Sequence, residues 1–495
     1  MRPSRRRHER TRALAGACTW LGLTFGSALL GGCGGSDASP LPPAVYAAYV
    51  VLGPAADGGV LALARAIVEP GTPQCPVLRG AGRTIRMRAR GNPFGFPVNV
   101  CEARVPFDRQ FRLSWTDQAL PIARRNPARL AVLGDTGCKA KDCAGDSPAA
   151  PFDAIAAAAA AQQPPPELVV HLGDYNYRGT ASAVPVQGGA TLPVYDAGDD
   201  APDDPLCQLE QPYVSQNAAY SLNPDTWEHW WADFFQPAAP LLAAAPWVVV
   251  RGNHELCSRA GPGWFYFLDP NAAASRGGLG ELACPPQGGD QPLPPPVLPY
   301  LQLSPPYVLD LGTLRIAVVD SANACDGFAP AVTTQRYAEQ LAAVLAAAPP
   351  DGTTWIATHR PLWGATTMDG DSIAQTLQQA WAMARAANAT GAIGLVLSGH
   401  MHTFQSLAFP DAATPRPPQL IVGASGVELG TAPVGRFTAA IDGDEAEILG
   451  IEQHSFLHVE SLAADGTWNG TLLDASGSAL AFCSSDGLPE SICSQ

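Results

Sequence analysis

Hydrophobic and polar positions follow two different rhythms along this chain, and the change falls near residue 126. Before it, short β-like pieces at 45–52, 60–68, 84–90 and 97–105 are separated by turn residues, with no long helical period. That pattern predicts a small all-β region. After it, continuous apolar runs alternate with Ala-rich helical stretches at 154–163, 335–348 and 372–387, which is an α/β layered pattern. Further strands are expected at 419–423, 436–441, 456–460, 468–473 and 479–482. Two long connections rich in Gly and Pro, 178–225 and 257–306, interrupt the layered part and are expected to wall a pocket.

Five of the apolar runs end in polar signatures. Leu130-Ala131-Val132-Leu133 enters Gly134-Asp135-Thr136-Gly137, and Leu168 to Leu172 enters Gly173-Asp174-Tyr175-Asn176-Tyr177. Trp247-Val248-Val249-Val250 leads through Arg251 to Gly252-Asn253-His254-Glu255. Trp355 to Thr358 enters His359-Arg360-Pro361, and Leu395 to Ser398 enters Gly399-His400-Met401-His402. In open α/β sheets the carboxyl ends of strands are where sites assemble. Each signature alone has a plainer reading, since a lone Gly-Asp after a strand is usually a turn. His171 reads as core, His229 as helix packing, and His454 and His458 as core or surface. Together the five read as one metal-binding constellation. A carboxylate at a strand mouth can use both oxygens, so Asp174 is expected to bridge two ions, with Tyr177 curling back onto one of them.

Composition narrows the setting. The chain has 495 residues, enough for a large core, with 46% hydrophobic and 15% charged residues. A formal net charge of −15 argues against nucleic acid as a partner. No protein partner is predicted. Arg2, Arg5, Arg6, Arg7, Arg10 and Arg12 precede an apolar stretch that ends at Leu30-Gly31-Gly32-Cys33. This reads as a lipoprotein signal peptide over 1–32, with Cys33 taking the lipid. The reading is an exported bacterial lipoprotein, periplasmic or cell-surface. Gly34 rather than Asp after Cys33 leans it towards the outer membrane. Domains are then a tether and N-terminal β region over 33–125 and a catalytic domain over 126–495. Ten further cysteines in an exported chain read as disulfides, with Cys75/Cys101, Cys138/Cys143 and Cys483/Cys493 as local candidates.

In order, the signatures are GD-x-G, GD-x-x-Y, GNHE, I-x-x-H and GH-x-H. The pattern resembles the calcineurin-like metallophosphoesterase superfamily, and within it the purple acid phosphatases. Most of the superfamily opens with Asp-x-His, whereas this chain has Asp135-Thr136-Gly137 and supplies Tyr177 instead. His359-Arg360-Pro361-Leu362-Trp363 also looks like that family. The resemblance implies an α/β, four-layer α-β-β-α sandwich beside the small N-terminal all-β region. It implies two metal ions: Fe3+ held by Asp135, Asp174, Tyr177 and His402, and a divalent ion (Fe2+, Zn2+ or Mn2+) held by Asp174, Asn253, His359 and His400. It implies hydrolysis of phosphate monoesters, with a metal-bound hydroxide attacking phosphorus in line and His254 serving the leaving oxygen. Arg178, Arg251 and Arg360 flank the motifs and could meet phosphate oxygens. Relatives with histidines shortly after the I-x-x-H motif differ from this chain, which has none from Pro361 to Met368. Two competing expectations stand beside this one: a phosphodiesterase or nucleotide hydrolase on the same scaffold, and a non-catalytic metal-binding surface lipoprotein.

Overall fold

The apolar runs that end in polar signatures lie side by side in the computed structural model. Leu130–Leu133 is parallel to Leu168–His171, with Leu133 opposite His171. Leu168–His171 is parallel to Trp247–Val249, with His171 opposite Val249. In a second sheet Thr354–Ala357 is parallel to Ile393–Ser398, with Ala357 opposite Leu397. This register sets the polar ends of neighbouring strands at one level. The structure describes residues 44–71, 74–92, 94–139, 151–177, 184–185, 191–192, 225–256, 259–270, 304–370, 373–387, 391–412, 415–463, 465–487 and 492–495. The expected signal peptide, Cys33, its tether, Arg178 and most of the two long connections lie outside these residues.

Period-two alternation builds the layers. Leu130 and Val132, Leu168 and Val170, and Val248 and Val250 of the first sheet share a core with Trp355, Ala357, Leu395, Leu397, Leu420 and Val422 of the second. The intervening residues point outward. Ala131, Leu133, Val169, Trp247 and Val249 pack under the helix Phe152–Ala160 and the aromatic residues Trp230, Phe234, Phe265 and Phe267. Ile356, Val396 and Ile421 pack under Ala331–Ala347 and Gln375–Ala386. The result is the expected helix-sheet-sheet-helix sandwich. The three expected helices are present, with ends shifted by a few residues. Tyr307–Asp310, Arg315–Val318, Phe404–Ala408 and Asp444–Ile451 are strands that the pattern did not single out.

The N-terminal region is all-β as expected, and it is stitched into the first sheet. Val45–Pro54 pairs in parallel with Trp247–Val249 through Val51 opposite Trp247, and Val60–Val68 and Asn99–Val105 continue the sheet outward. Cys75 and Cys101 form a disulfide, as do Cys483 and Cys493. Cys138 and Cys325 are each disulfide-bonded too, and Cys143, the expected partner of Cys138, lies outside the described residues. Arg65 and Glu102 are cross-strand partners. Arg65 donates through Nε to Glu102 (2.9 Å) and through Nη1 and Nη2 to the carbonyls of Phe267 (2.7 Å) and Asp269 (2.6 Å). Arg90 donates to Glu102 (2.7 Å) and to the carbonyl of Phe265 (3.0 Å). These arginines moor the helical turn that follows the Gly252-Asn253-His254-Glu255 signature. Among the described residues no helix is long and apolar enough to cross a membrane.

Candidate metal centre

At the strand ends the backbone makes abrupt turns. Asp135 (φ 57°), Asp174 (φ 57°), His400 (φ 76°) and His402 (φ 51°) all occupy the left-handed region. Asp and His tolerate that region better than most residues, but it still carries strain. The loops approach so closely that a Cβ on Gly252 would collide with Asp174 Oδ1, and one on Gly399 with Asp135 Oδ2. Glycine at these two positions therefore lets the carboxylates sit against neighbouring backbone.

The turned residues converge. The Tyr177 hydroxyl lies 3.0 Å from Asp174 Oδ2, 3.1 Å from Asp135 Oδ1 and 3.1 Å from His402 Nε2. On the other side of Asp174, His359 Nε2 lies 3.2 Å from Asp174 Oδ2 and 2.8 Å from Asn253 Oδ1. The His359 Nδ1–H donates to the Leu172 carbonyl (2.8 Å), which fixes the tautomer and leaves Nε2 facing the site. Ligand-capable atoms of Asp135, Asp174 and His402 lie within 4.8 Å of one another, and so do those of Asp174, His359 and His400. Asp174 is common to both groups. His254 stands beside them: its ring is 4.0 Å from that of Tyr177, and its main-chain N–H donates to Asp174 Oδ1 (2.9 Å).

Residues that the motif reading left without a task hold this arrangement. The Glu255 carboxylate accepts the N–H groups of Gly252 (3.1 Å), Asp174 (3.0 Å), Tyr175 (2.8 Å) and Asn176 (3.2 Å), which ties two signatures together. Asp233 accepts from the Tyr177 N–H (3.1 Å). Asp326 pairs with Arg360 and with His400 Nε2 (2.8 Å). No strand-end signature marks Asp233 or Asp326, so pattern reading had no handle on them. Of the flanking arginines, Arg251 is buried, donating to the Glu255 carbonyl (2.8 Å) and pairing with Asp320 (3.2 Å). That makes it a structural tie. His171 is a core residue, stacked on Tyr175 at 3.9 Å and bonded to the Thr136 hydroxyl (2.9 Å).

The electrostatics are those of crowded anions. Burial, then the Asp135 and Asp174 charges, push the Tyr177 phenol well above its usual range. Burial is also the main cause that lifts the Asp135 carboxyl, with the Asp174 charge adding to it. For Asp174 burial acts upward too, but His359 and His254 outweigh it and hold the carboxyl well below its usual range. In return Asp174 raises His359 to about 9 against its burial. The phenol and the three clustered acids, Asp135, Asp174 and Glu255, thus compete for little positive charge. Cations in their midst would relieve that competition. The donor types also fit metals: carboxylate and phenol oxygens on one side of Asp174, imidazole and amide oxygen on the other.

Comparison with known proteins bears on this geometry. A family model described as calcineurin-like phosphoesterase matches residues 128–404. Among solved structures, the purple acid phosphatase from yellow lupin (Lupinus luteus) seeds superposes with a TM-score of 0.52 at 13% identity, covering 90% of this chain and 74% of that one. At that identity the likeness is one of fold. No curated protein sequence matches the chain.

Proposed function

The chain belongs to the calcineurin-like phosphoesterase family, and from that premise we propose that it hydrolyses phosphate monoesters with a dinuclear centre of purple acid phosphatase type. The observation that carries the reading is the Tyr177 hydroxyl, buried within 3.1 Å of Asp135, Asp174 and His402. A phenol in that position is the donor that distinguishes this subfamily from its Asp-x-His relatives. Asp135, Asp174, Tyr177 and His402 would hold Fe3+. Asp174, Asn253, His359 and His400 would hold the divalent ion, Fe2+, Zn2+ or Mn2+. When bound, such ions supply Lewis acidity and lower the pKa of a water to about 7.

The chain's own groups do the rest. The Leu172 carbonyl orients the His359 ring by accepting from Nδ1. Glu255 fixes the loop that presents Asp174. Breaking a P–O ester bond leaves an oxygen that needs a proton. His254 is assigned to deliver it, because it is only half-buried and stands against Tyr177 at the edge of both donor groups.

An arylphosphate assay on metal-loaded protein tests this. Turnover of a monoester, abolished by chelator and reduced by about 100-fold or more in Asn253→Ala, is expected. Metal-loaded protein that turns over no monoester refutes the proposal, and turnover of diesters alone redirects it to the diesterase alternative. A visible absorption band that disappears in Tyr177→Phe is the expected mark of the phenolate–ferric pair.

The chain is also proposed to be an exported lipoprotein anchored to the membrane through Cys33. The Arg-rich start and the Leu30-Gly31-Gly32-Cys33 sequence support this. The Cys75–Cys101 and Cys483–Cys493 disulfides fit an oxidising compartment. Labelling cells with a fatty-acid analogue should mark the protein, and Cys33→Ala should abolish the label.

A further inference from the structure

We propose that Asp233 is a positioning residue for the tyrosine ligand, setting where the Tyr177 hydroxyl stands relative to Asp135 and so how firmly the pair holds the ferric ion. This inference rests on the dinuclear reading above, in which Tyr177 and Asp135 hold the same ion. A single oxygen, Asp233 Oδ2, accepts the N–H of Tyr177 (3.1 Å) and that of Cys138 (3.4 Å). Cys138 follows Asp135 by three residues, as Tyr177 follows Asp174. Both aspartates turn at φ 57°. The Asp135 N–H donates to the Gly173 carbonyl (2.9 Å) and the Thr136 N–H to the Asp174 carbonyl (3.0 Å), so the two loops run side by side. Asp233 joins them again as they leave the site. Glu255 ties the Asp174 loop to the Gly252 loop, whereas Asp233 ties it to the Asp135 loop.

The ring of Tyr177 passes this hold on to the hydroxyl. It is packed against Gly137, where a Cβ would collide with Tyr177 Cδ2, and against the His254 ring (4.0 Å). A ring confined in this way carries its hydroxyl wherever the main chain goes. Asp233 is itself fixed. It is fully buried in the π-helical turn Trp231–Phe235, a kind of turn that recurs at functional sites. Its neighbour Phe234 packs edge-on against Tyr175 (5.0 Å) and His171 (5.8 Å), which seats the turn against the strand and loop that carry Asp174.

Iron-loaded full-length protein tests the proposal, read as the visible band and as iron retained in dialysis against graded chelator. Wild type is expected to show the band. Asp233→Ala should shift or weaken it and lower iron affinity by about 10–100-fold. Asp233→Asn keeps an acceptor oxygen, weaker than that of a carboxylate, and should fall between. Leu341→Ala, which empties a core position on the outer helix Ala331–Ala347, controls for lost stability and should keep the wild-type band and iron. A wild-type band and affinity in Asp233→Ala, or an iron loss no larger than in Leu341→Ala, overturns the proposal while the ferric–tyrosine reading stands. Should Asp233→Ala not fold, Asp233→Asn decides by the same criterion. Wild type that binds no iron, or binds it without the band, overturns both.

Discussion

Glu255 shows how much one side chain can organise. Four main-chain N–H groups from two loops converge on its carboxylate, which is fully buried. Burial, then the Asp174 charge, push this carboxyl up to about 8, and the N–H groups of Tyr175 and Asn176 pull against that rise. Removing it leaves four buried donors without an acceptor, each costing roughly 1–3 kcal/mol and not additively. Glu255→Ala is therefore expected to cost metal-free protein about 3 kcal/mol or more in urea unfolding, with Glu255→Gln intermediate. An unchanged midpoint would mean that the loops hold without it. At this scale the sequence was informative where chemistry and strand ends coincide. Asp135, Asp174, Tyr177, Asn253, His254, His359, His400 and His402 each sit directly after an apolar run, and the fold brings them together. Glu255 stood in a quoted signature, yet its contacts with Asp174, Tyr175 and Asn176 reach about eighty positions back, a distance that no local pattern encodes.

Among elements, the N-terminal strands act on the site indirectly. Arg65, buried with Glu102 and Arg90, holds the carbonyls of Phe267 and Asp269 in the turn after the Asn253 loop. Breaking a buried ion pair from one side typically costs about 3–5 kcal/mol. Arg65→Met should destabilise by that order in a denaturant melt and speed amide exchange in 264–269. Equal exchange in that segment would show that the mooring is not needed. Alternation along 60–68 was enough to predict the strand. Its place in the sheet was not readable, because the join of Val51 to Trp247 depends on residues far apart in sequence. Pattern reading passed over the hairpin of Tyr307–Asp310 with Arg315–Val318, and it found 436–441 but not its antiparallel partner Asp444–Ile451; the two hairpins lie at opposite edges of the second sheet.

For the whole molecule, metal and pH are the accessible levers. Ions that bind only the folded chain stabilise it by about 4 kcal/mol at a thousand times Kd, so chelation should lower the calorimetric Tm. A chelator-insensitive Tm would argue against ions bridging the two sheets. Asp225 supplies a pH dependence away from the metals. Its carboxylate accepts from Trp230 Nε1 (2.7 Å) and the Gly263 N–H (2.6 Å). Burial outweighs these donors and pushes its pKa up to about 7. With the folded value above the unfolded one of about 4, the folded state binds the proton more tightly. This group's effect on stability therefore becomes unfavourable as pH rises from about 4 to 7 and is complete above that. Asp225→Asn should fare better relative to wild type at pH 8 than at pH 5 in thermal melts. A constant difference would show that Asp225 does not titrate in this range.

The left-handed turns at the metal-site loops carry a consequence for how this protein can change. Asp135, Asp174, His400 and His402 each hold a backbone conformation that costs about 1 kcal/mol or more and that glycine adopts freely. Heat resistance and catalysis therefore favour different residues at the same positions. A library selected only for survival of heating in excess chelator, where bound ions add no stability, should drift towards glycine at 400 and 402. Selection for phosphate release should restore the histidines and the fragility with them.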